Sequence, residues 1–321
     1  MRQVAVADIG GTHARFAIAE IDGGRVVSLG EPVTLKTAEH GSFQLAWEEF
    51  GRQNGGLPNE LAIAFAGPVG GEVLKLTNNP WVIRPALIKE RLGVDRYVVV
   101  NDFGAVAYAV ATLPNEHFSH LCGPDRALPD EGVTSIVGPG TGLGVAALLR
   151  KRDHYEVIET EGGHIDFAPL DLLEDKMLIQ FRRHFRRVSV ERVAAGQGLW
   201  NIYEALGAIE GKDLTFHDDK ALWAAALAGT DSLATAALDR LCLSLGAVAG
   251  DLALAQGANA VVIAGGVGAR LADYLPSSGF RDRFIAKGRF ERRMDEMPVK
   301  LITHPQPGLF GAAAAFAKEH G

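Results

Sequence analysis

One pattern occurs twice in this 321-residue chain, and it limits the fold more than any other feature. Residues 4–7 form an apolar run, GGTHAR at 10–15 a turn, and residues 16–19 a second apolar run. About 130 residues later, VTSIVGPGTGLGVAALL at 133–149 repeats the arrangement, with Gly140-Thr141 standing where Gly11-Thr12 stands in the first copy. Apolar runs flanking a glycine turn form antiparallel hairpins. Two such hairpins, each followed by more strands and then helices, imply two related α/β halves facing one another, with the cleft between them as the expected site. The length agrees, because it exceeds the size at which a single core stops growing.

Along the first half, Asp22-Gly23-Gly24 turns into a third strand over 26–35. A helix is expected over 42–52, a strand over 61–67, a helix over 85–92, and a strand over 97–102, with the next helix starting near Phe103. The second half turns mostly helical after its hairpin. Its long segment 231–255 carries Leu238, Leu241, Leu245 and Val248 at helical spacing, which makes a core stripe. Short strands at 260–266 and 299–302 precede an alanine-rich terminal helix.

A net charge of −7 opposes nonspecific nucleic-acid binding, which needs Lys and Arg to displace phosphate counterions. Cys122 and Cys242 lack CxxC spacing and a second pair, so they read as reduced thiols rather than a zinc site. The start, MRQVAVADIGG, does not fit a signal or transit peptide, and a cytoplasmic location is expected. Two uncharged stretches, 132–149 and 252–269, are interrupted by glycines and polar residues, so no membrane association is expected.

Four glycines in GPGTGLG (Gly138, Gly140, Gly142, Gly144) let the backbone approach a ligand and aim amide hydrogens into one space, as a phosphate cradle requires. The loop lacks the Lys-Ser/Thr ending of the Walker motif and the GxGxxG spacing, which disfavours a Rossmann dehydrogenase. Asp8 ends an apolar strand beside Gly10-Gly11-Thr12; it reads either as a carboxylate facing a hydrated magnesium ion or as a turn-stabilising Asp. Gly265-Gly266, between a strand and a helix, suits packing against a nucleotide base or ribose.

The order of these motifs is the more specific signal. DIGGT near the start, a strand ending in Asn101-Asp102, GPGTGLG, EGGH at 161–164, AGG at 264–266 and PGLFG at 307–311 resemble bacterial glucokinases of the non-zinc type, in the hexokinase, actin and Hsp70 superfamily. The resemblance implies two related α/β lobes of the hexokinase/actin-like (ribonuclease H-like) fold with an interdomain cleft. Residues 1–110 plus 303–321 would form a small α/β domain and 111–302 a larger α+β domain. It also implies glucose and ATP as substrates, Mg2+ as cofactor, and a homodimer. Carried over by position, Asp102 is the catalytic base, and Asn101, Glu161, His164 and Glu191 bind the sugar. The nucleotide falls to Asp8, Gly10, Gly11, Thr12, Gly138, Gly140, Thr141, Gly142, Gly265 and Gly266, with Asp8 meeting Mg2+ through water. His13 stands where the family usually has Asn, and Gln197 where Pro is common. The related repressor and kinase family with a cysteine-rich zinc motif is disfavoured, because those cysteines are missing.

The residue types suit the chemistry. Phosphoryl transfer rests on positioning and charge neutralisation, and a carboxylate at the attacking hydroxyl takes its proton. Locally, Asp102 serves equally as cap of the helix near Phe103, and Asn101 as a turn residue. Ionised glutamates only accept hydrogen bonds, which matches a polyol, and two glycines between Glu161 and His164 let both reach one ring. The basic run at 182–187 reads as a solvated helix face, and Trp47, Trp81, Trp200 and Trp223 as packing residues. The leading reading is ATP-dependent phosphorylation of glucose at the 6-hydroxyl. Alternatives are a kinase for mannose, fructose or an amino sugar; a sugar-sensing regulator, which would carry a DNA-binding segment before the core; and a nucleotide-driven interaction protein, which gives no reason for EGGH.

Overall fold

The computed structural model describes residues 1–76, 79–152 and 154–321. The chain forms two compact units, one of residues 1–114, 157–159 and 304–321, the other of residues 115–156 and 160–303.

In the first unit, Arg2–Ile9 pairs antiparallel with His13–Asp22 and parallel with Glu60–Phe65, which pairs parallel with Arg96–Asn101. The hairpin expected at the start is therefore present, and its first strand also opens a parallel sheet. Every residue of Glu60–Phe65 is buried, as befits a strand covered on both faces. Side chains alternate along Arg2–Ile9: Ala5, Ala7 and Ile9 pack with Phe16, Phe43 and Phe50 on one face. Val4 and Val6 pack with Leu309, Ala312, Ala313 and Phe316 of the helix Pro307–His320 on the other. That helix lies so close to the helix Asp102–Thr112 that a Cβ on Gly311 would stand 1.7 Å from the Ala105 carbonyl oxygen.

The single strand expected over 26–35 is two strands, Arg25–Leu29 and Val33–Lys36, both paired with His13–Asp22. Pro32 has no N–H to give a ladder, and the Gly30 N–H turns back to the Ile18 carbonyl at 2.8 Å, so the chain breaks between them. The helix Phe43–Asn54 starts where Ser42 accepts the Leu45 N–H and stops at Gly55, which has φ of 70°.

The second unit repeats the scheme. Gly132–Pro139 pairs antiparallel with Leu143–Lys151 and parallel with Ala260–Ile263, which pairs parallel with Val299–Ile302. The strand order places His154–Thr160, whose residues 157–159 group with the first unit, at one edge and Phe118–Cys122 at the other. Helices bury one face, and the long one, Ser232–Ala255, carries the expected stripe fully inside: Leu238, Leu241 and Leu245 are 0% exposed and Val248 4%. Among the described residues this helix alone is long and apolar enough to cross a membrane, but 72% of its apolar window is buried inside the protein, which marks a core helix. Gly246 lets it touch its neighbour, since a Cβ there would lie 2.1 Å from the Phe280 carbonyl oxygen. Cys122 and Cys242 are free and buried, and burial pushes both thiols up to about 12, so neither is a reactive thiolate.

Candidate active site

Ligands of open α/β sheets collect beyond the carboxyl ends of the parallel strands. In the first unit that edge is marked by Ile9, Phe65 and Asn101, which stand in register on three neighbouring strands. Asp8, next to last in its strand, and Asn101 thus lie on strands that are two ladders apart, roughly 10 Å at the usual strand spacing.

The strand Arg96–Asn101 passes directly into the helix Asp102–Thr112. The cap of that helix is Asn101 rather than Asp102: its Oδ1 accepts the N–H groups of Phe103 at 2.9 Å and Gly104 at 3.2 Å. The Asn101 Nδ2 donates to the Gly67 carbonyl at 3.1 Å. The acceptor end of Asn101 is therefore spent on the protein, and one amide hydrogen remains for a ligand. Asp102 is the first helical residue, where the helix dipole favours an anion, and its Oδ1 accepts the Phe103 N–H at 2.9 Å.

Asp8 faces Arg15 across the hairpin, and Arg15 Nη1 donates to Asp8 Oδ2 at 3.3 Å. Burial pushes the Asp8 carboxyl above its ordinary value, and the Arg15 guanidinium works against that shift. The carboxyl also packs on the first turn of the helix Pro307–His320, where a Cβ on Gly308 would stand 3.1 Å from Asp8 Oδ2. The turn beside it is fixed from outside: Thr37 Oγ1 donates to the Gly11 carbonyl at 2.7 Å, and the Gly10 N–H to the His13 carbonyl at 3.0 Å. A Cβ on Gly11 would meet nothing within 4 Å, and Thr12 and His13 are exposed.

In the second unit the structure brings together residues that lie far apart in sequence. The Gly140 N–H donates to the Gly142 carbonyl and the Gly196 N–H to the Gly140 carbonyl, both at 2.8 Å. These bonds hold the glycine loop between the strands Gly132–Pro139 and Leu143–Lys151 in a fixed shape. Glu191 Oε2 accepts the Leu143 N–H at the end of that loop at 3.0 Å, and a Cβ on Gly142 would lie 2.5 Å from the same oxygen. Gly265 has φ of 77° and a Cβ there would meet the Pro139 carbonyl oxygen at 2.5 Å, so this glycine is required by conformation and by space.

Glu161 precedes and His164 ends a one-turn helix, Gly162–His164, with their side chains 68% and 56% exposed and 3.8 Å apart. The two glycines press this turn against the hairpin, since a Cβ on Gly163 would stand 2.0 Å from the Leu143 carbonyl oxygen. Directly after it, the Ile165 carbonyl accepts the Val190 N–H at 2.9 Å. Leu143 and this backbone bond thus tie Glu161, His164, Glu191 and Gly142 into one neighbourhood.

The same unit holds a cavity of about 790 Å³, within the roughly 300–1,000 Å³ of small-molecule sites. Gly140, Thr141 and Gly266 line it, and so do Gln197, Trp200, Asp219, Trp223 and Arg270. Arg270 lies over the Trp223 ring at 4.7 Å from its centroid. Burial raises the Asp219 carboxyl above its ordinary value, while Arg270 and Trp223 pull it down. Trp47, Trp81 and Trp223 are buried, as expected of packing residues, yet Trp223 and the half-buried Trp200 also wall this cavity. The five side chains come from the helices Gly196–Glu210 and Asp219–Ala228 and from the last residue of the helix Gly265–Arg270, and no local motif marks them.

The Glucokinase family model matches residues 5–319. The chain belongs to the glucokinase family. It is 66% identical to a glucokinase of Zymomonas mobilis over 319 residues, covering 99% of this chain and 98% of that protein. It is 39% identical to a glucokinase of Paramagnetospirillum magneticum, with 97% of each covered. Among solved structures, a glucokinase from an Antarctic psychrotroph superposes with a TM-score of 0.86 at 33% identity and 99% coverage of both chains. The two α/β lobes are those of this glucokinase fold.

Proposed function

We propose that the chain transfers the γ-phosphoryl group of ATP to the 6-hydroxyl of glucose, giving glucose 6-phosphate and ADP. The observation that carries the reading is Glu191: its carboxylate accepts a backbone N–H at the end of the Gly138–Gly144 loop, beside Glu161 and His164. Acceptors suited to a polyol thus adjoin a loop suited to phosphate. Glu161, His164 and the second oxygen of Glu191 bind sugar hydroxyls, and Asn101 donates its remaining amide hydrogen. Asp102 takes the proton of the 6-hydroxyl as its oxygen bonds to the γ-phosphorus and the bond to the ADP oxygen breaks. Gly10, Gly11, Thr12 and Gly138, Gly140, Thr141, Gly142 hold the phosphates; Gly265 and Gly266 border the base and ribose, which enter the cavity walled by Trp200 and Arg270.

Among the described residues no group of three or more His, Cys, Asp or Glu could hold a metal ion. Asp8 is a single carboxylate at a glycine turn, which fits a magnesium ion that arrives with the triphosphate and keeps its waters. When bound, that ion neutralises charge on the transferring phosphoryl group. A homodimer in the cytoplasm completes the proposal, and light scattering of the purified protein checks the dimer. The deciding experiment is ATP-dependent phosphorylation of a hexose panel, with glucose turned over fastest. Equal or faster turnover of mannose, fructose or an amino sugar refutes the glucose assignment, and no turnover of any hexose refutes the kinase.

A further inference from the structure

The start of the helix that bears Asp102 carries one more contact. A helix cap uses its side chain on the N–H groups that follow and leaves its own N–H to be satisfied; in a capping box, a Glu or Gln three residues on reaches back to it. Asn101 spends its Oδ1 on Phe103 and Gly104, as a cap does. The residue three positions on is Gly104, which has no side chain to reach back. Instead Glu159, distant in sequence but within the same compact unit, accepts the Asn101 N–H on Oε1 at 2.9 Å. A Cβ on Gly104 would lie 2.3 Å from that Oε1 and 3.0 Å from Cγ and Cδ of Glu159. The glutamate occupies the space that a side chain at position 104 would fill.

We infer that Glu159 is a positioning residue for the catalytic base, completing from a distant stretch of the same chain a capping box whose third position is Gly104. The inference rests on the assignment of Asp102 as base. Asp102 lies between the two halves of this box, Asn101 and Gly104, so the bond from Glu159 fixes the backbone from which its carboxylate projects. Glu159 touches no substrate in this role; it acts through the Asn101 N–H.

Three variants and their combination test it. Glu159→Ala removes the acceptor and lowers kcat about tenfold, the effect of one hydrogen bond, with KM for ATP and glucose within about threefold of the parent. Glu159→Gln keeps an acceptor oxygen and retains at least about half of kcat. Gly104→Ala displaces the glutamate, so it lowers kcat as Glu159→Ala does, although Ala in place of Gly favours the helix and leaves Tm unchanged or raised. The double variant Glu159→Ala/Gly104→Ala is no slower than either single variant to within about twofold, because both break one contact. Normal kcat in Glu159→Ala or Gly104→Ala, losses that multiply in the double variant, or Glu159→Gln as slow as Glu159→Ala overturns the role. Asp102→Asn, measured alongside, separates the two readings. An inactive Asp102→Asn with a normal Glu159→Ala refutes Glu159 alone, and an active Asp102→Asn refutes the base and with it the role of Glu159.

Discussion

Gly163→Ala should disable the sugar site through one backbone collision. Its Cβ would stand 2.0 Å from the Leu143 carbonyl oxygen, and ordinary contact begins at 3.4 Å, so relief demands about 1.4 Å of movement. Leu143 is the less free partner: it pairs with Pro139 in the hairpin and its N–H is held by Glu191. The turn Gly162–His164 must therefore yield and carry Glu161 and His164 with it. Misplacing binding groups by about 1 Å costs about 10²-fold, and the overpacking itself about 1–3 kcal/mol of stability. We expect kcat/KM for glucose to fall about 10²-fold in a coupled ATP-dependent assay, with a lower Tm. Gly162→Ala is the control, because the atoms nearest its Cβ belong to side chains, Val145 at 3.0 Å and Leu252 at 3.2 Å. These can give way, and the loss should stay below about threefold. Gly163→Ala within threefold of the parent, or Gly162→Ala as the worse variant, refutes the reasoning.

Two further outcomes follow from the second unit. Arg270→Ala strips the guanidinium from the Trp223 face and from Asp219, so KM for ATP should rise about tenfold or less while KM for glucose stays put; steady-state kinetics in both substrates checks this. Asp171 accepts the N–H groups of Leu173 and Glu174 and bonds Arg240 and Arg283 at 2.6 Å each; burial alone would raise its carboxyl, but the Glu174 N–H and the arginines hold it below its ordinary value. The folded state therefore binds its proton more weakly than the unfolded chain, and its stabilisation is present above the ordinary carboxylate value, about 3.9, and lost as pH falls through the folded value. Urea midpoints between pH 3 and 7 should fall more gently on the acid side in Asp171→Asn than in the parent.

Much of the fold was legible because local and global signals agree. The strand over 299–302 is observed with the same bounds, and the stripe Leu238 to Val248 needs only helical periodicity. Pro32 within the run at 26–35 is itself a break signal, and the strand breaks beside it. Asn101 and Asp102 are both good caps, and only the traced hydrogen bonds give that role to Asn101. Trp200, Asp219, Trp223 and Arg270 carry no motif; folding alone gathers them at Gly140 and Gly266, and Trp223 is as buried as a packing residue. Glu159 was illegible for the same reason, since its partner lies 58 positions earlier in the sequence.

The most direct test of the account is the rate of phosphoryl transfer in Asp102→Asn, with glucose binding measured in parallel by calorimetry. Asn is isosteric and cannot take a proton, so kcat should fall about 10²- to 10⁴-fold while the glucose Kd changes by less than about tenfold. A kcat near that of the parent would contradict the assignment of Asp102 as the base.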